Sequence, residues 1–297
     1  MQDCYELTLL QASRKHHYIP CFYTKRWTGA DGKLCVYSRP HKEVVTYRKY
    51  PTAVGYKDDL YTLTGLRPES RTVLEDKFFK IVDQRASDAS DYMLNNQTTK
   101  VPGELRNAFT RLLIGFFHRT PDRVEEITEA LAKELEPVLE GVIAEFRSGA
   151  RGPVPTEVEL EEIATNWRRD ARTRMWGQSL ARLVNSDMLG PAIVNMQWRV
   201  RRFRTLNYDL LTSDKPLIAT NGFAHKEGHL VLPLGPRTLF IATNNNATTR
   251  AILSQSENQL ARKANDQIVR QAKQFVYGVD DGQKSFVAAR LQATTNR

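Results

Sequence analysis

Apolar residues change their spacing three times along the chain. Leu34-Cys35-Val36-Tyr37 and Val44-Val45-Thr46-Tyr47 are β-branched or aromatic runs bounded by Asp31-Gly32 and Arg39-Pro40, and they predict strands. Ala30-Asp31-Gly32-Lys33 predicts a hairpin turn, since glycine tolerates positive φ, and Asp59–Leu63 predicts another short strand. From residue 72 the spacing becomes helical. Thr72-Val73-Leu74-Glu75 has the form of a capping box, followed by Leu74, Phe78, Ile81, Val82, Ala89, Tyr92 and Met93 on one stripe. A second helix is expected over Gly103–His118, and a third after Thr120-Pro121-Asp122, where each residue suits its place at a helix start. Pro137 should kink or break that third helix. Ser148–Pro155 is the best linker, and Thr156-Glu157-Val158-Glu159 opens a helix that should end near Gly190-Pro191. Alternation returns at Val194–Phe203, with Val194, Met196, Trp198 and Val200 on one face. Leu230-Val231-Leu232 and Leu239-Phe240-Ile241-Ala242 predict two more strands. Ser256-Glu257-Asn258-Gln259 opens a last helix whose stripe runs from Leu260 to Phe275 and Val276.

Separated strand and helix runs predict an α+β fold. We expect one domain: a helical layer at about 70–190, inserted between β-rich parts 14–64 and 194–242 that form one sheet region, with a C-terminal helix at 256–277. A chain of 297 residues with 41% hydrophobic and 26% charged residues can bury a sizeable core, and it holds no apolar run long enough to span a membrane. Met1–Leu10 lacks the basic start and apolar centre of a signal peptide, and Cys4, Cys21 and Cys35 form no CxxC. A cytoplasmic protein with reduced thiols is expected.

Charge alters this picture. The net charge is +9, yet Asp122–Glu162 holds twelve acidic and four basic residues, so the rest of the chain carries +17. A basic face of that kind suits a polyanion. Arg199, Arg201, Arg202 and Arg204, interleaved with Trp198 and Phe203, have the composition of a nucleic-acid contact. Arg119 and Arg123 flank a helix start, where free N–H groups and guanidinium can hold phosphate. The adjacent His16 and His17 are candidates for a general base or a metal ligand. Asp214, after Ser213 in Ser213-Asp214-Lys215-Pro216, could share a metal with His17 or orient it; a simple Asx-turn is the competing reading. His17, Cys21, Cys35 and His41 lack the compact knuckle of a zinc site.

Three motifs carry a resemblance: His16-His17-Tyr18 with Pro20 and Phe22, Arg119-Thr120-Pro121 with Arg123, and Ser213-Asp214 with Pro216. Pro233-Leu234 and a late helix with Asn265, Ala272 and Val276 extend it. On these residues nearly the whole chain resembles the bacterial family DUF4238, with Cys21 where glutamine would be expected. The resemblance implies no reaction. The residues themselves point first to a nucleic-acid hydrolase, a nuclease dependent on histidine or a divalent metal, in a bacterial or phage-defence setting. His16, His17 and Asp214 would be catalytic, His17 and Asp214 would hold the metal, and Arg119, Arg123, Trp198, the four arginines and Ser213 would bind substrate. The alternatives are a non-catalytic module that senses nucleic acid or a nucleotide, and a hydrolase of a small phosphorylated molecule. The expected partner is DNA or RNA, not a membrane.

Overall fold

The structure, a computed structural model, describes residues 14–63, 66–67, 70–96, 100–223 and 225–293, without the side chains of 170–174. Cys4 and the N-terminal residues read above lie outside this set. Helix accounts for about 51% and strand for about 16%, an α+β fold.

The first third carries β1 (Lys15–His17), α1 (Cys21–Thr24) with a 3₁₀ turn at Lys25–Trp27, β2 (Leu34–Ser38), β3 (Val45–Lys49), a 3₁₀ turn at Pro51–Ala53, and β4 (Tyr56–Asp58). Ala30–Lys33 turns as expected, with Gly32 at φ +70°, but it leads from the 3₁₀ turn into β2 and joins no hairpin. Strand β4 ends where Asp59 adopts φ 55°, so the strand expected at Asp59–Leu63 is displaced toward the N-terminus.

A π-helical segment, Leu74–Phe79, runs into α2 (Lys80–Asn96). No side-chain cap forms at Thr72-Val73-Leu74-Glu75. The wider π turn shifts the stripe by one residue. Phe79 is therefore fully buried and Ile81, expected inside, is 52% exposed. Helices α3 (Gly103–His118), α4 (Pro121–Arg147) and α5 (Glu157–Val184) follow. Helix α4 continues through Pro137. The linker at 148–155 is only the turn between α4 and α5, and the capping box at Thr156 and Glu159 forms as its spacing predicts. Gly190-Pro191 lies inside a separate short helix, α6 (Leu189–Val194).

The last third holds β5 (Gln197–Arg202), β6 (Thr212–Ser213), β7 (Ile218–Thr220), β8 (His229–Gly235), β9 (Thr238–Thr243), α7 (Asn246–Leu253), α8 (Glu257–Gln271), β10 (Phe275–Gly278) and α9 (Lys284–Ala288). Phe275 and Val276 leave the helical stripe and form β10 instead.

Early and late strands meet in one antiparallel sheet of order β3-β2-β10-β6. A second sheet, β5-β9-β8-β7, is built from late strands, and among the described residues β1 pairs only with β4. The central strands β2, β8 and β9 are buried on both faces, which explains their unbroken apolar runs, whereas the edge strand β3 is mostly exposed. Leu34, Val36, Tyr277, Leu232 and Phe240 face a core shared with α3 and Trp198. Cys35, Tyr37, Val276, Val231, Leu239 and Ile241 face a second core under α8, with Leu260, Ala264 and Ile268.

Because β10 joins β2 and the first core draws on both ends of the chain, fragments 1–150 and 156–297 should not fold alone. Each should lack a cooperative urea transition, and restored cooperativity in either would contradict this assembly.

Candidate ligand-binding site

Strand β1 points its two histidines in opposite directions, as strand geometry requires. His16 is fully buried. Its Nδ1 accepts the Tyr61 N–H at 2.8 Å, and its ring stacks on Tyr61 at 5.6 Å. This is a core histidine, not a base facing a cleft. His17 is half-buried against the Tyr56 ring. Burial pushes its imidazole down to about 4, against the Thr52 carbonyl, which favours the proton; the Arg119 charge lowers it further. Its Nε2 is buried without a hydrogen-bond partner.

The His17 carbonyl is held from the helical layer. Arg119 Nη2 donates to it at 2.7 Å. Arg119 is 1% exposed. It forms a fork with Asp83 at 2.6 and 3.1 Å, lies 4.2 Å from the Phe79 ring centre, and its carbonyl accepts the Tyr61 hydroxyl. A guanidinium committed in this way holds no phosphate, which corrects the substrate role expected for Arg119. Arg123 is exposed and paired with Glu126 one turn on. Glu75 was read as a cap. The π segment turns it inward, where burial pushes its carboxyl up to about 7 despite Arg119. Its Oε2 has no partner. Burial, with the Asp83 and Glu75 charges adding to it, pushes the Cys21 thiol up to about 11.

Asp214 closes a different joint. It follows β6, and its carboxylate accepts the N–H groups of Lys273, Gln274 and Phe275 at 2.9, 2.7 and 3.0 Å. Those three bonds turn the chain from α8 into β10. Burial pushes the carboxyl up to about 6 against these three donors. Ser213 accepts the Lys215 N–H. The structure therefore gives His17 and Asp214 separate neighbours, and the shared catalytic or metal role expected for them is not built. Among the described residues no group of three His, Cys, Asp or Glu side chains is placed to hold a metal ion.

The arginine strand is also reassigned. Trp198 is 1% exposed, packed edge-on to Phe109 and Phe240 with Arg106 over its ring at 4.0 Å, so no base can stack on it. Phe203 is buried in the second core. Arg199 and Arg202 donate to the Trp198 and Leu94 carbonyls, and Arg201 lies 3.9 Å from Glu257. Arg204 is exposed, and its backbone N–H is taken by Glu257.

A recess of about 430 Å³ remains, between β3 and the β1–β4 ribbon. Among the described residues β3 and β4 each pair on one side only, so two sheet edges face it. Tyr18, Tyr47, Tyr56, Phe275 and Tyr277 form its walls, with Lys49 and Lys57 among them. The Tyr277 hydroxyl is buried and lacks a partner of proper geometry, although the Gly55 N–H lies near it. Tyr18 and Ile19 both donate to the Gly55 carbonyl, at 2.9 and 3.0 Å. Gly55 has φ +64°, and a Cβ there would sit 2.7 Å from the Ile19 Cβ, so only glycine fits this wall. A larger hollow of about 620 Å³ lies on α5 among Glu157, Glu161 and Glu162, and its carboxylates would repel an anion.

A family model described as "Protein of unknown function (DUF4238)" matches residues 15–282. The chain belongs to DUF4238. Neither the curated proteins nor the solved structures contain a match. In this DUF4238 chain the histidine, arginine and aspartate singled out by sequence act as joints: His16 seats Tyr61, Arg119 binds β1 to α2, and Asp214 anchors β10. Sequence reasoning missed Glu75, Asp83 and the tyrosine recess. One signal was available, the alternation of Tyr47 and Lys49 on β3, which puts an aromatic and a cation on one face. No helix among the described residues is long and apolar enough to cross a membrane.

Asp214→Asn should replace one acceptor oxygen with a donor facing N–H groups. We expect a loss of about 3 kcal/mol in urea unfolding. Unchanged stability would return Asp214 to the list of functional candidates.

Proposed function

We propose that this DUF4238 chain is a non-catalytic module that binds a nucleotide unit, free or within a single strand of nucleic acid, in the tyrosine recess. The observation that carries the reading is the wall itself: aromatic faces with two lysines beside them and an unpartnered Tyr277 hydroxyl. Base stacking on an aromatic face contributes about 1–3 kcal/mol per base, and ammonium groups supply the phosphate term. A volume of about 430 Å³ falls within the range of small-ligand sites. The +17 charge outside Asp122–Glu162 would draw an anion toward the molecule. Lys15 lies 4.8 Å over Tyr56 and Lys49 lies 5.3 Å from Tyr47, so the cations already sit against the faces a base would use.

Hydrolysis is the weaker reading, because the residues nominated for it are engaged elsewhere. His16 is bonded to Tyr61, Asp214 to three N–H groups and Arg119 to Asp83. Binding alone needs no divalent ion. Thiols at Cys21 and Cys35 suit the cytoplasmic setting that we include in the proposal.

The test is fluorescence anisotropy at low salt with labelled oligothymidylate, and calorimetry with ATP and AMP. One of these should bind, which also tells polymer from free nucleotide. Tyr47→Ala should weaken binding by about tenfold. Lys49→Ala with Lys57→Ala should flatten the oligonucleotide salt slope by about 0.7 per lysine. No binding by any probe, or unchanged binding by these variants, would overturn the proposal.

A further inference from the structure

Among the described residues β5 is an edge strand of the second sheet, and a small notch lies against it. Leu94, Val200, Arg202, Arg204 and Thr238 line the notch, which holds about 180 Å³. Drug-sized ligands fill about 300–1,000 Å³, so the notch suits one small group rather than a whole nucleotide. Val200 and Leu94 pack on the first core and supply its apolar side. The polar side is built in register. Arg202 and Thr238 stand directly opposite each other across β5 and β9, a spacing at which facing side chains meet. Thr238 is 7% exposed, and no described residue bonds its hydroxyl. Arg202 Nη2 donates to the Leu94 carbonyl at 3.0 Å, which fixes the fork and leaves its other N–H groups over. The Arg204 guanidinium has no partner among the described residues; only the backbone N–H of that residue is taken, by Glu257.

Charge decides what this notch can hold. Two guanidinium groups facing one small space repel each other unless an anion lies between them. Glu257 does not supply it. Its carboxylate accepts the Arg204 and Thr205 N–H groups and lies 3.9 Å from Arg201, whose side chain alternates to the other face of β5, and it does not line the notch. Leu94 belongs to the last turn of α2, whose C-terminal end carries about half a negative charge. Set against two full positive charges, this leaves an excess of about 1.5. Among the described residues neither arginine has a carboxylate in ion-pair reach.

We infer that the notch is a phosphate site, which takes inorganic phosphate or the terminal phosphate of a monoester. Arg202 and Arg204 present planar forks that match phosphate oxygens, and they stay charged at every relevant pH. Thr238 adds a hydroxyl donor from the facing strand. A dianion with one substituent or none answers both cations. A phosphodiester carries one charge and two substituents, so chain phosphates of a nucleic acid fit poorly. The notch shares no lining residue with the tyrosine recess, and the inference does not rest on the nucleotide reading.

The experiment uses the full chain in a phosphate-free buffer at pH 8. Calorimetry is run with inorganic phosphate, glycerol 3-phosphate and dimethyl phosphate, and the arginine Nε–H resonances are followed by NMR. Phosphate or glycerol 3-phosphate should bind and shift the signals of Arg202 and Arg204, and the tighter of the two tells free from esterified phosphate. Dimethyl phosphate should bind at least about tenfold more weakly. Arg204→Gln, which removes no contact within the described fold, should cost about tenfold in affinity, and Thr238→Val about threefold, with the urea midpoint unchanged in R204Q. Silence toward both dianions at millimolar concentration overturns the inference. So does equal affinity for dimethyl phosphate, or wild-type affinity in both variants.

Discussion

One buried cation holds the N-terminal ribbon to the helical layer. Arg119 stands at the end of α3, almost wholly out of water, and its guanidinium reaches Asp83 on α2 and the carbonyl of His17 on β1. Its own carbonyl takes the Tyr61 hydroxyl, and Tyr61 stacks on His16. Removing one partner of a buried pair costs about 3–5 kcal/mol, because the charge left behind is uncompensated. The guanidinium thus ties three segments, and the Arg119 carbonyl adds Tyr61 as a fourth. Even the packing of α3 accommodates it, since a Cβ at Gly115 would stand 3.1 Å from the Arg119 Cδ.

The sheets show why a recess survives beside this anchor. Strand β2 is paired on both sides and β10 lies between β2 and β6, so that sheet is closed toward the chain's C-terminal part. Asp214 fixes the closure by catching three successive N–H groups where α8 gives way to β10. Tyr23 adds a link, its hydroxyl bonding both Thr212 and the Pro233 carbonyl. On the other side, among the described residues, β3 has no further strand beside it and β4 pairs only with β1. The space between these edges is filled by tyrosine side chains rather than by another strand. An exposed edge is ordinarily a liability, and lysines along it discourage unwanted pairing. Here the same lysines stand beside aromatic faces, the pairing on which the proposed nucleotide site rests.

Much of the scaffold could be read from local chemistry. Thr156 with Glu159 and Ser256 with Gln259 form the capping boxes their spacing predicts, and Pro121 opens α4. The alternation around Trp198 gave the correct buried face. It misled about function, because that burial is what removes Trp198 from any ligand. The larger departures have tertiary causes. Phe275 and Val276 continue a helical stripe on paper, yet Asp214, some sixty residues away, captures the N–H groups that a continued helix would need. Glu75 looked like a cap because a π turn cannot be seen in apolar periodicity. The recess draws Tyr18, Tyr47, Tyr56 and Tyr277 from four separate strands or their ends, and no window of sequence contains them together. The family resemblance marked the joints His16, Arg119 and Asp214, and the open site lies next to them.

We propose that the recess, not the arginine strand, is the surface that meets nucleic acid. Photo-crosslinking with 4-thiothymidine oligonucleotides, read by peptide mass spectrometry, separates the two directly. Adducts should fall on Tyr47, Tyr56 or Phe275 and be competed by unlabelled oligonucleotide. Adducts confined to residues 199–204, with none on the recess, would contradict it.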